Sequence, residues 1–262
     1  MSVVLWHIEV SHYNEKARWA LDFKQIPHER RVPMPGLHGI RALWLTRGGQ
    51  RRLPVLELDG RRIGDSTAII AALEEYQPEP PLYPSDPAER ERALELEDWF
   101  DEHLAPPLRL FVWHHTLPDT EAVGAALFTR PSPGRVRMLR AMAPVARRMM
   151  RLDFDINDET AADARKQVVA GMDRLESEVQ ASGYLVGDRF SVADLTAAAL
   201  YTPLLAPPER PYAPPALPGP VMELREELMG RPGAEWIFEM YARHRGTSAE
   251  IGAPPAPARA AA

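Results

Sequence analysis

Eleven residues, Gln77 to Pro87 (QPEPPLYPSDP), carry five prolines, and no helix or central strand runs through such a stretch, because each proline fixes φ and has no amide proton to donate. The chain is therefore expected to divide there, with a stiff linker over residues 78–87 between a unit at 1–77 and a longer one at 88–245. The 262 residues are enough for two units with cores of their own. Proline is also the compositional outlier, with 27 in the chain against an ordinary usage of about 5%. Pro203 to Pro220 forms a second proline-dense loop.

Before the linker the pattern alternates between strand and helix. Val3 to Val10 is β-rich and ends at Ser11, and a helical run opens at about Asn14. Pro27 to Met34 reads as a short strand whose terminal prolines suit an edge position, and Gly36 to Gly49 as a loop with a short helix. Leu53 to Leu58 is a strand followed by Asp59-Gly60, a two-residue hairpin signal, so that Arg61 to Ile63 returns antiparallel. Pro54 has two readings: a trans proline on an edge strand, or a cis Leu53–Pro54 bond at the strand entrance that leaves the Leu53 backbone free to pair with a peptide-like ligand. Asp65 or Ser66 caps a helix running to Tyr76. This order of elements is thioredoxin-like, a mixed four-stranded sheet with helices.

After the linker the chain reads as an all-α helical bundle. Ala88 to Leu104 is amphipathic and Pro106-Pro107 breaks it. Phe111 and Trp113 suit a core better than a substrate pocket. Helices are expected over Arg135–Leu152, Ala161–Ala181, Val221–Met229 and Ala234–His244. Phe190-Ser-Val-Ala-Asp-Leu195 has the form of a capping box with a hydrophobic staple, which gives Asp194 a structural role. Residues 246–262 have no apolar face and are expected to be mobile.

Composition excludes several functions. The formal net charge of -6 disfavours nucleic acid as a partner, and Arg147, Arg148 and Arg151 read as a solvated helix face. The chain has no cysteine, hence no disulfide, thiolate metal site or cysteine nucleophile, and its eight histidines show no metal-ligand spacing. No apolar run is long enough for a membrane span and no basic-then-apolar leader opens the chain, so a cytoplasmic location is expected.

Ser11 stands where a strand hands over to a helix. The free N–H groups and dipole of a helix start stabilise an anion there, so Ser11 either holds a reactive anion or caps the helix. Four segments in order, SHYNEKARWAL, LPVLELDG, DSTAI and FSVADL, together with the two-unit plan, resemble the cytosolic glutathione S-transferases over roughly residues 1–245. The resemblance implies glutathione as co-substrate, a small and largely apolar electrophile, and a homodimer contacting through the helix from Ala88. It implies that Ser11 donates a hydrogen bond to the glutathione sulfur and that Leu53, before Pro54, pairs with the cysteinyl backbone. Asp65 and Ser66 would hold the γ-glutamyl end. Arg52, with His38 as a weaker candidate, would reach the glycine carboxylate. Tyr13 is the second choice for the activating hydroxyl. His7 stands where tyrosine-type members carry their phenol, and residues 105–158 form a segment unusually long for the family, which leaves the electrophile site unassigned. A glutathione-dependent isomerase and a non-catalytic binding module remain open beside the transferase.

Overall fold

In this computed structural model, residues 2–34, 37–127, 133–212 and 215–252 are described. The first elements are β1 (Val3–Trp6), α1 (His12–Phe23), β2 (Glu29–Arg31), α2 (His38–Leu45), β3 (Val55–Leu58), β4 (Arg61–Gly64) and α3 (Ser66–Tyr76). They form one mixed sheet in the order β2-β1-β3-β4, with β1 parallel to β2 and antiparallel to β3. The two-residue side-chain period sends Val3 and Leu5 of β1 to the face covered by α1 and α3, and Val4 and Trp6 to the face covered by α2 through Ala42 and Leu45. At the hairpin Asp59 and Gly60 both have positive φ, 46° and 83°, as a two-residue turn of this hand requires.

β1 ends at Trp6, short of the expected Val10, and α1 begins at His12, earlier than expected. The cause is Arg18. Its guanidinium donates to the carbonyls of Ile8, Glu9 and Ser11, gathering residues 8–11 into a turn instead of letting them run on as strand.

The remaining chain is helical: α4 (Pro87–His103), α5 (Ala105–Thr116), α6 (Thr120–Leu127), α7 (Pro133–Asp153), α8 (Asp158–Glu178), α9 (Val192–Leu200), α10 (Thr202–Leu205), α11 (Gly219–Met229) and α12 (Pro232–His244). Pro106 and Pro107 sit in the first turn of α5, where a missing N–H costs no intrahelical bond. Phe111 is core, as its spacing predicts. The one-turn α10 runs into the stretch expected to be loop throughout. Arg147 also departs from expectation: it donates to the Pro118 carbonyl and the Thr120 hydroxyl, fastening α7 to α6. Every residue of α9 is buried, and α9 packs against α1, α4 and α12 as the axis of the bundle.

The proline-dense stretch is fastened at both sides. Lys24 Nζ donates to the carbonyls of Gln77 and Pro80, each at 2.8 Å, and Leu82 is buried with its carbonyl accepting from Val192 N–H at 2.8 Å. Prolines lack N–H but keep their carbonyls, and a buried ammonium collects them. Residues 246–252, expected to be mobile, also dock: His28 N–H donates to Ala249 O, Ile251 N–H donates to His28 O, and Ala249 N–H donates to Asp22. Backbone pairing explains an attachment that side-chain polarity does not show. Residues 253–262 lie outside the described residues.

Asp194 anchors α9. Its carboxylate accepts from Leu185 N–H, Ser191 N–H and the Ser191 hydroxyl, each at 2.8 Å, while burial pushes its pKa up to about 6. Asp194→Ala leaves two buried N–H groups unpaired, at about 1–3 kcal/mol each. The urea midpoint at pH 7 is expected to fall accordingly. An unchanged midpoint would mean that α9 does not need this cap.

Candidate active site at the α1 start

Ser11 is the N-cap residue of α1, with its carbonyl accepting from Glu15 N–H at 2.9 Å, but its side chain makes no capping bond. The Ser11 Oγ instead accepts from Asn14 Nδ2 at 2.6 Å. The same amide nitrogen donates to Leu53 O at 3.2 Å, and Asn14 Oδ1 accepts from Ile8 N–H at 3.0 Å. Two oxygens on one side and an N–H on the other fix which way the amide points. The Ser11 oxygen is therefore an acceptor toward the protein, and its single proton stays available to a ligand.

Asn14 thereby ties the α1 start to the Leu53–Pro54 turn, whose peptide bond is cis. Across the hairpin Val55 faces Gly64, which brings Asp65 beside that turn. Asp65 has φ 71°, a positive value that a non-glycine residue adopts at a cost of about 1–3 kcal/mol. Its Oδ1 caps α3 by accepting from Thr67 N–H and Ala68 N–H, and Ser66 behind it is buried. Sequence reasoning places Ser11, Leu53, Pro54, Asp65 and Ser66 as one group, and the fold brings them to one edge of the sheet.

Arg52 points toward the end of α7. Its guanidinium lies 3.6 Å from Asp153 at the end of α7 and over the Phe154 ring, 5.2 Å from the centroid, while Arg51 also pairs with Asp153. His38 opens α2, with its pKa lowered by burial. Tyr13 donates its hydroxyl to Asp101 O at 2.8 Å, which occupies the only proton it has. Burial pushes its pKa up, so it is a poor competitor for Ser11. His7 is buried, and its Nδ1 accepts from Arg18 at 2.9 Å; burial first, then Arg18, hold its pKa well below the ordinary value. A neutral ring with that nitrogen occupied has no tyrosine-like part to play.

Three further groups shape the site: Lys16, the acidic and hydroxyl partners gathered round it, and Arg109. Lys16, fully buried, pairs with Glu97 at 2.7 Å and with Asp101 at 2.5 Å, and the Thr67 hydroxyl lies 3.0 Å from all three charged groups. Among the described residues Glu97 Oε2 and Asp101 Oδ1 are buried without a hydrogen-bond partner, and burial pushes the Glu97 carboxyl above its ordinary range, so in this corner beside Ser66 two carboxyl groups share one lysine. Arg109 of α5 lies over Phe154 at 4.4 Å and 6.0 Å from the Tyr13 ring centre. None of the three carries a motif. Lys16 looks like a solvated lysine on an amphipathic helix, and only its partners on α4 reveal it.

A mixed sheet with a serine at a helix start against a cis-proline turn, backed by a helical bundle, defines a thioredoxin-like unit with an all-helical second unit. The family model of the glutathione S-transferase N-terminal domain matches residues 5–81 and that of the C-terminal domain residues 141–217. The chain belongs to the glutathione S-transferase family. Two curated relatives are similar over part of their length. Probable maleylacetoacetate isomerase 1 of Drosophila melanogaster is 35% identical over 69 residues, 26% of this chain and 28% of the relative. FtsZ-localized protein A of Caulobacter vibrioides (strain NA1000 / CB15N) is 30% identical over 139 residues, 52% of this chain and 47% of the relative. The chain thus spans less than half the length of either. Among solved structures, the beta-etherase LigF from Sphingobium sp. strain SYK-6 is 21% identical, with a TM-score of 0.59 over 91% of this chain and 99% of that one. A glutathione S-transferase from Methylobacterium radiotolerans in complex with glutathione sulfonate is 22% identical, with a TM-score of 0.54 over 95% of this chain and 96% of that one. At these identities the likeness shows the fold.

Asn14→Asp keeps the acceptor for Ile8 N–H and removes both donated bonds, setting a carboxylate against the Leu53 carbonyl. It is expected to lower stability by about 2–4 kcal/mol, whereas Ser11→Ala, which removes one acceptor, costs less than about 1.5 kcal/mol. Chemical denaturation compares the two. Equal midpoints would mean that the amide does not join these segments.

Proposed function

We propose that the protein is a glutathione transferase in which the Ser11 hydroxyl holds glutathione as its thiolate for attack on a small, largely apolar electrophile. The observation that carries this reading is the Ser11 oxygen accepting from Asn14, which leaves its proton for the sulfur. A free thiol has a pKa near 8.5, and lowering it by about two units takes roughly 2.7 kcal/mol. A hydroxyl bond to a charged acceptor contributes about 1.5–3 kcal/mol and the helix start about 0.3–1 kcal/mol. The two suffice, and no general base is needed.

Glutathione suits the charges that surround Ser11. Asp65 and Ser66 take the γ-glutamyl amine and carboxylate, next to the buried cluster of Lys16, Glu97 and Asp101. The Leu53 backbone before Pro54 pairs with the cysteinyl unit. Arg52 reaches the glycine carboxylate by sharing its contact with Asp153, and His38 is the alternative. The same reading includes a cytoplasmic, detoxifying homodimer joined along α4, a chain divided at residues 78–87, and a site that needs no metal.

A second reading, glutathione-dependent isomerisation, is favoured by the local identity to the probable maleylacetoacetate isomerase, and a third, a binding module, is kept beside it by the similarity to a protein named for its localisation to FtsZ. A glutathione titration beside a panel of aryl halides, haloacids and maleyl-type substrates separates the three.

Ser11→Ala is expected to keep glutathione affinity within about threefold and to lose about 10- to 150-fold in kcat/KM near pH 7. The lower limb of the pH–rate profile moves from about 6.5 toward the 8.5 of the free thiol. Turnover at the wild-type rate with an unmoved profile would remove Ser11 from the mechanism.

A further inference from the structure

Contacts that begin at Ser11 close into a circuit. Ser11 is joined through Asn14 to Leu53, and the neighbouring Arg52 lies over Phe154. Arg109 lies over the same ring and beside Tyr13, which returns on α1 to Ser11. Phe154 is thus a shared platform for two guanidinium groups, one from the first unit and one from α5.

The charges on this circuit do not balance. Arg51 and Arg52 both pair with Asp153, so that single carboxylate is already shared between them. Among the described residues Arg109 has no hydrogen-bond or ion-pair partner, and its Nε is sealed from solvent. Burial draws its pKa below the ordinary guanidinium value, with Tyr13 and Asp153 opposing and Arg52 adding to the shift, so the nearest anion, Asp153, acts on it at a distance without contact. Three guanidinium groups therefore face one carboxylate. A partly buried cation without an anion is costly, and it is retained where a ligand supplies the missing charge. The glycine carboxylate of glutathione, assigned above to Arg52, answers for one of these cations and leaves Arg109.

We propose that Arg109 receives an anionic group, a carboxylate or its equivalent, on the electrophile, so that the second substrate is an acidic molecule with an apolar body resting on Phe154. This rests on the transferase reading and sharpens it. The guanidinium fork takes a carboxylate with two parallel N–H bonds, and the Phe154 ring holds the fork in place. The reaction balances with glutathione alone: the thiolate sulfur forms a bond to the carbon bearing the leaving group, the bond from that carbon to the leaving group breaks, and the leaving group departs with its electron pair. The thiol proton goes to water.

The test uses 4-chloro-3,5-dinitrobenzoate and its methyl ester, which share a reacting carbon and differ in one charge, with each enzymatic rate divided by its uncatalysed rate. The wild type is expected to favour the carboxylate. Arg109→Gln is expected to lose about 10- to 100-fold more kcat/KM on the carboxylate than on the ester, and Arg109→Lys to recover part of that loss. Glutathione affinity, measured by titration, stays within about threefold in both variants and reports that they are folded.

Equal losses on the two electrophiles would overturn the proposal and place Arg109 at the thiolate. A collapse of glutathione affinity would place it at the glycine carboxylate, and the absence of any loss would leave it without a ligand. Should the wild type bind glutathione yet turn over neither compound, the transferase reading fails. The Arg109 proposal is then decided by the affinities of the two glutathione conjugates, made chemically, for wild type and Arg109→Gln. Loss of the preference for the acidic conjugate in the variant supports it, and an unchanged ratio overturns it.

Discussion

Helix α1 buries five charged side chains at Glu15, Lys16, Arg18, Asp22 and, just past its end, Lys24, and the arrangement of the molecule follows from how each finds a partner. A charge taken from water without a counter-charge costs several kcal/mol, so α1 can stay enclosed only if other segments come to it. Glu15 is held by Arg18 and by Arg245 from beyond the last helix. Asp22 is held by Arg30 and the same Arg245. Burial alone would raise the pKa of both carboxyls, and these guanidinium groups outweigh it and hold both below their ordinary values. Lys16 draws α4 to the start of α3, and Lys24 draws in the linker carbonyls. One helix thereby specifies where the sheet, the linker, the bundle and the end of α12 must stand.

The same network positions the site. Arg18 satisfies the carbonyls of Ile8, Glu9 and Ser11, while Asn14 spans from Ser11 to Leu53. A hydroxyl on a loose loop would lose side-chain entropy each time it met a ligand, and here much of that ordering is done in folding. Because Arg245 and Arg18 share Glu15, the chain after α12 is mechanically continuous with the turn that carries Ser11.

Much of this was legible in the sequence because it rests on local rules. The Asp59-Gly60 hairpin, the Ser191 to Asp194 cap and the prolines opening α5 each depend on neighbours within a few residues. The hairpin and the cap form as the sequence predicts, and the prolines mark the boundary between α4 and α5. What was not legible depends on distant partners. Lys16 and Arg18 have the spacing of solvent-facing charges, and nothing within α1 announces Glu97, Asp101 or the carbonyls they meet. The alternation from Val3 to Val10 overextends β1 for the same reason, since the pull of Arg18 on the backbone is invisible to a two-residue period. Arg109 lies in a stretch whose aromatic residues draw attention to themselves, and only the Phe154 platform on another segment marks it out.

The two sides of the Ser11 end of the sheet differ in the kind of charged group they hold. Toward α3 and α4 lie Glu97 and Asp101 with unpartnered oxygens against one lysine, and toward α5 and α7 lie Arg51, Arg52 and Arg109 against one aspartate. A field of this kind orients a ligand before any contact forms, because turning a charged molecule end for end sets like charges together on both sides. It also acts on the atom between them. On the proposed reading, a thiolate at Ser11 would be repelled from the acidic corner and attracted toward the guanidinium side, where α5 and Phe154 would hold the electrophile. Local hydrogen bonding would then set where the sulfur rests, and the wider charge pattern which way it faces.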